Sequence, residues 1–138
     1  MTAIDAAEVI IDLLQRGHAV EFRVRGDSMH PVIREDDSVH VEPSREIHPG
    51  DVVLTLADRG LTAHRVIARH GDTIVTRGDN TPEADAPVPF AQVLGKVTWV
   101  ERDGERRHVA REYGVVRWLR RLRRVACHPE RGGAGGGK

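Results

Sequence analysis

Along residues 3–16, Ile4, Ala7, Val9, Ile10, Ile11, Leu13 and Leu14 recur at helical spacing among Asp5, Glu8, Asp12, Gln15 and Arg16. The pattern predicts an amphipathic helix that stops at Gly17, since glycine readily takes the left-handed conformation that ends helices. Its apolar stripe is expected to dock on the same domain rather than on a partner. From residue 19 the period changes to two, and Val20, Phe22 and Val24 alternate with Glu21, Arg23 and Arg25. Strands are predicted at 19–25, 38–42, 51–57, 61–68, 73–77 and 93–101, punctuated by Pro43, Pro49-Gly50, Arg59-Gly60, Gly71-Asp72 and Asp103-Gly104. The stretch 78–91, Gly-Asp-Asn-Thr-Pro-Glu-Ala-Asp-Ala-Pro-Val-Pro-Phe-Ala, is too rich in turn formers for a strand and is read as a long functional loop.

Short strands without intervening helices predict a mainly β fold, a coiled sheet or partly open barrel with an amphipathic helix at each end. The C-terminal helix is predicted at 112–126. Val115, Val116, Leu119, Leu122 and Ala126 lie on one side, and Arg117, Arg120, Arg121, Arg123 and Arg124 largely on the other. Either the apolar side packs on the β domain, or it enters an anionic membrane surface with Trp118 while the arginines meet headgroups. The glycine-rich end cannot bury a core and is read as disordered. The expected organisation is a helix at 1–18, a β-rich domain at 19–110, a basic helix at 111–127 and a tail at 128–138. At 138 residues this is one domain with appendages.

Charge changes the picture little, because 30% charged residues cancel to a formal net charge of zero. Nothing here resembles a helix-turn-helix, so sequence-specific nucleic-acid binding is not expected. A single cysteine, Cys127, rules out an intrachain disulfide. No apolar run approaches the about 18 residues of a membrane span. The N-terminus, interrupted by Asp5, Glu8 and Asp12, lacks signal-peptide character. A cytoplasmic protein, soluble or peripheral to the membrane, is the expectation.

The candidate chemistry centres on Arg25-Gly26-Asp27-Ser28-Met29-His30-Pro31. Gly26 and Pro31 bracket Ser28 on a constrained bend that can aim backbone N–H groups at one point, as an oxyanion hole requires. A serine nucleophile needs a base. Lysine is scarce: Lys138 is in the tail, and Lys96 is expected to face solvent. Of eight histidines, His64 sits within a strand-like run that would hold its ring rigidly. A carboxylate beside that ring would fix its tautomer. Asp79 and Asp85 are the candidates, with Asp85 favoured because Gly78-Asp79-Asn80 already accounts for Asp79 as a turn residue. No metal-ligand spacing and no glycine-rich phosphate loop is present, so neither a metal nor a cofactor is expected.

Taken in order, Gly26-Asp27-Ser28-Met29-His30-Pro31, Asp37, Pro49-Gly50-Asp51-Val52-Val53, His64-Arg65-Val66, Gly78-Asp79-Asn80 with Asp85, and Gly95-Lys96-Val97 resemble the box series of type I signal peptidases. The His-Arg-Val box resembles the branch of the endoplasmic reticulum, archaea and some Gram-positive bacteria, in which histidine replaces lysine. The resemblance implies a serine endopeptidase with Ser28 as nucleophile, His64 as base and Asp85 as supporting acid, acting on a peptide or preprotein with small side chains before the cleaved bond. LexA-type self-cleaving repressors share the fold and the Gly-Asp-Ser-Met start but use lysine where His64 stands. A self-cleaving module and a non-catalytic peptide-binding relative are the alternatives. Asp36 occupies a position where the family usually has glycine, and Gly26 offers no hydroxyl to an oxyanion hole.

Overall fold

The computed structural model describes residues 3–57 and 60–112. The predicted helix 112–126 and the 128–138 tail lie outside the described residues apart from Glu112. Helix α1 (Ala3–Gln15) is closed by a pair of hydrogen bonds, Gly17 N–H to Leu14 O at 3.0 Å and His18 N–H to Leu13 O at 2.9 Å. Gly17 adopts φ +91°, the left-handed conformation this double closure needs. Leu14 is buried and Ile10 and Leu13 pack beside it, so the stripe docks on the sheet.

The rest is one antiparallel sheet of β1 (Val20–Arg23), β2 (Ser38–Glu42), β3 (Val52–Ala57), β4 (Gly60–His70), β5 (Thr73–Arg77), β6 (Val88–Pro89), β7 (Val93–Arg102) and β8 (Glu105–His108). The strand order is β1-β2-β7-β3-β4-β5-β6, with β8 added to β7. Register shifts at His40/Val41, Leu54/Thr55 and Val66/Ala68 curl it into a half-barrel, because each bulge bends its strand and steepens the local twist. Alternation along β3 feeds two cores. Val52 and Leu54 join Leu14, Val39, Val41 and Val97, while Val53 joins Ile47, Val66, Ile74 and Phe90 on the other face.

Two elements depart from the sequence expectation. The 78–91 stretch is not strand-free, since Val88–Pro89 pairs with Thr73 and Ile74 of β5 and a 3-10 turn follows at Phe90–Gln92. Proline is tolerated there because β6 ends the strand order, where its missing N–H is not needed. Strand β8, all four residues exposed, has no alternation to betray it. It forms because Asp103 and Gly104 both take positive φ, +54° and +81°, and close a two-residue hairpin onto β7.

Candidate active site

Ser28 follows the edge strand β1 through Gly26, whose φ of +92° turns the chain out of the sheet. A single helical turn begins there, with His30 N–H bonded to Asp27 O and Ile33 N–H to Met29 O. Met29 and Ile33 are buried in the first core and anchor the turn. Within this turn no backbone bond consumes the Ser28 N–H. His64 projects from the middle of β4 and is 8% exposed. Its Nε2 lies 3.0 Å from Ser28 Oγ, and its Nδ1 lies 2.5 Å from Asp85 Oδ2. Because ionised Asp85 can only accept, the bond network assigns the ring proton to Nδ1 and leaves Nε2 to accept the Ser28 hydroxyl.

Asp85 is held from two sides, its N–H donating to Thr76 O at 2.8 Å and its Oδ2 accepting from Thr76 Oγ1 at 2.7 Å. Its side chain remains 39% exposed. Asp79 is engaged elsewhere, accepting both Nε and Nη2 of Arg65 at 2.9 and 2.8 Å in a pair whose side chains are each 2% exposed. The structure therefore brings Ser28, His64 and Asp85 together and sends Asp79 to a buried ion pair.

Several contributing residues had no assigned part in the sequence reading. Gly78 sits so close that a Cβ would lie 2.6 Å from Ser28 O and 3.1 Å from His64 Nε2. Only glycine leaves room for the loop to close over the Ser28–His64 pair. Asn80 N–H then donates to Ser28 O at 2.8 Å, and Asn80 Nδ2 to Asp27 O at 3.2 Å, so the same loop clamps the nucleophile turn. The Gly78-Asp79-Asn80 motif pointed to this loop, whereas nothing in the sequence singled out Thr76.

Behind the site, Arg65 Nη1 donates to Gly50 O at 2.7 Å and Ala110 O at 3.1 Å. Glu112 N–H donates to Gly50 O, and Arg111 Nε to Asp51 Oδ1 at 2.8 Å, so residues 110–112 strap across the back of β4. Gly50 makes room for this strap, since a Cβ there would lie 2.7 Å from Arg111 Cγ. Lys96, expected to face solvent, instead reaches 3.5 Å from Asp51 and is 23% exposed. Burial pushes the Asp51 carboxyl up, but hydrogen bonds from Arg111 and the His48 N–H, with the charges of Lys96 and Arg111, outweigh it and hold the group below the usual carboxylate range. Asp37 shows the same balance, burial opposed by Arg102 and by the Arg34 N–H, with the lowering winning. Asp36, standing where glycine is usual, takes φ +73°.

A groove of about 330 Å³ opens beside Ser28. Phe22, Val24, Met29, Ile33, Leu54 and Leu61 give it apolar walls, and Arg23 and Arg25 stand at its margin. It runs between two unpaired strand edges. β1 ends the strand order, and β5 pairs with β4 only from Arg65 onward, which leaves Gly60–His64 open. Among the described residues no group of three or more His, Cys, Asp or Glu side chains is placed to hold a metal ion, and no helix is long and apolar enough to cross a membrane.

A search of curated proteins found no match to the chain. A family model described as Peptidase S24-like matches residues 3–98, a span that contains the nucleophile turn, β4 and the whole 78–91 stretch. With that match covering most of its length, the chain belongs to the Peptidase S24-like family, within the LexA/signal peptidase superfamily.

Proposed function

We propose that the protein is a serine endopeptidase that cleaves a peptide or preprotein through Ser28, His64 and Asp85. The supporting observation is the continuous hydrogen-bonded line from Ser28 Oγ through both His64 nitrogens to Asp85 Oδ2. His64 Nε2 takes the Ser28 proton as Oγ attacks the scissile carbonyl, and Asp85 steadies the imidazolium that forms. The Ser28 N–H and a neighbouring N–H hold the oxyanion. The imidazolium then protonates the leaving amine, and His64 activates the water that releases the acyl group.

The substrate backbone adds to the sheet edge. Val24 spends its N–H on Asp37 O and its carbonyl on Asp36 N–H, so the alternation of antiparallel pairing turns the backbone groups of Arg23 and Arg25 toward the groove. The histidine base supports the kinship with the histidine-containing signal peptidase branch. Family membership supports a second reading, a LexA-type module that cuts its own chain.

The test is covalent labelling with a fluorophosphonate and a serine-reactive β-lactam, read by intact mass. One adduct on the wild type, absent from Ser28→Ala and His64→Ala, is the expected result. A folded wild type inert to both probes would sink the reading. A chain-cleavage rate independent of protein concentration would select the self-cleaving module.

A further inference from the structure

We infer that the groove selects peptides carrying an acidic side chain opposite Arg25, beside an apolar side chain that fills the pocket; this rests on the peptidase reading and names its substrate class. The walls of the groove include no acidic residue, and their only charges are Arg23 and Arg25. Both arginines are exposed, and among the described residues neither makes a side-chain hydrogen bond or ion pair. Glu21, two residues earlier on the same face of β1, is already taken by Arg106 at 3.0 Å. Arg69, also exposed, is by contrast engaged: it bonds Ile47 O and Gly71 O and stacks on Phe90 at 4.0 Å.

The two arginines are not equivalent. Arg23 also borders a second depression whose lining holds Glu35, Asp36, Asp37, Glu101 and Asp103 together with Arg34 and Arg102, so a peptide carboxylate there would meet five acidic residues. Arg25 borders the apolar groove without bordering that depression, and a peptide strand added along this edge sets one side chain beside the Arg25 side chain and the next in the groove. A strand rises about 3.3 Å per residue, so a peptide laid along the β1 edge from Ser28 meets Arg25 roughly two to four residues from the scissile bond. Unpaired backbone at Arg23 and Arg25 supplies affinity without discrimination, and the apolar walls accept many side chains. The guanidinium of Arg25 is the element that distinguishes one sequence from another.

The experiment uses full-length Ser28→Ala protein, in which binding is read without cleavage, and fluorescent peptides sharing one apolar residue but carrying Asp, Ala or Arg at each of the neighbouring positions. Fluorescence anisotropy at low salt is expected to show the best-placed Asp peptide binding about 3- to 10-fold tighter than its Ala counterpart. Raising the salt should compress that ratio. Arg25→Glu in the same background should invert the preference toward the Arg peptide, a change of sign that loss of folding cannot imitate. Equal affinities at every position, or an acidic preference untouched by Arg25→Glu, would overturn the inference while leaving Ser28 labelling, and hence the peptidase reading, intact. Failure of labelling alongside an Arg25-dependent acidic preference would overturn the peptidase reading and keep the selectivity, as a binding module.

Discussion

His64 and Arg65 are neighbours on β4 that point to opposite faces of the sheet, and each meets an aspartate from the 78–91 stretch. The Arg65–Asp79 pair is closed off from water, bidentate, and topped by the carbonyls of Gly50 and Ala110. The His64–Asp85 pair is half open, with Asp85 partly exposed and one imidazole nitrogen turned to Ser28. A fully satisfied buried pair has no remaining valence for chemistry and a large cost if broken, which makes it architecture. The partly solvated pair instead ends on the Ser28 hydroxyl, which leaves it a partner outside the pair. The same residue type, six positions apart in one loop, thus stands in two opposite environments.

Breaking the comparison on its chemical side should give the largest effect. Asp85→Asn is expected to lower kcat by up to about 10⁴-fold with little loss of melting temperature, because the amide no longer enforces the Nδ1–H tautomer. A near-normal rate in Asp85→Asn, measured on a cleaved peptide, would dissolve the distinction between the two pairs. On the architectural side, Asp79→Asn should cost about 3–5 kcal/mol in urea unfolding by leaving Arg65 incompletely paired in the interior. Its rate per labelled Ser28 should change far less than that of Asp85→Asn. A stable Asp79→Asn protein with dead sites would reverse the two roles.

Thr76→Val sharpens the comparison by removing one hydrogen bond to Asp85 while preserving shape. A loss of about 10-fold in kcat is the expected size for a hydrogen bond to a charged acceptor, with KM unmoved. The smallest effect is in acid. Asp37 and Asp51 are held below the ordinary carboxylate range, so their contribution to stability is complete above about pH 4 and drains away as pH falls through their lowered folded values. Thermal melts from pH 6 to pH 2 should show this decline, and Asp51→Asn should flatten part of it. A melting temperature constant across that range would remove these two groups from the ledger of stabilising contacts.

Much of this was legible from one dimension. The helix stripe, the stop at Gly17, the strands before residue 78 and the Ser28 bend follow from periodicity and turn chemistry, which act over a few residues and leave local marks. Strand β8 left no mark because both its faces meet solvent, and β6 left none because two residues cannot show a period. In the sequence, the turn-forming character of Gly78-Asp79-Asn80 favours Asp85 over Asp79. The structure gives a different physical ground, the buried guanidinium of Arg65.

The sequence by itself determined which residue types were available for the chemistry, a serine on a glycine-led bend, a histidine in a strand and two aspartates in one loop, along with the alternation that makes a sheet. Only the tertiary structure decided which of them meet. Ser28 and His64 are 36 residues apart and His64 and Asp85 are 21 apart, so their contacts depend on strand register, on the bulges that curl the sheet and on the room left by Gly78. Those are properties of strands packed against one another, and no local stretch of chain contains them.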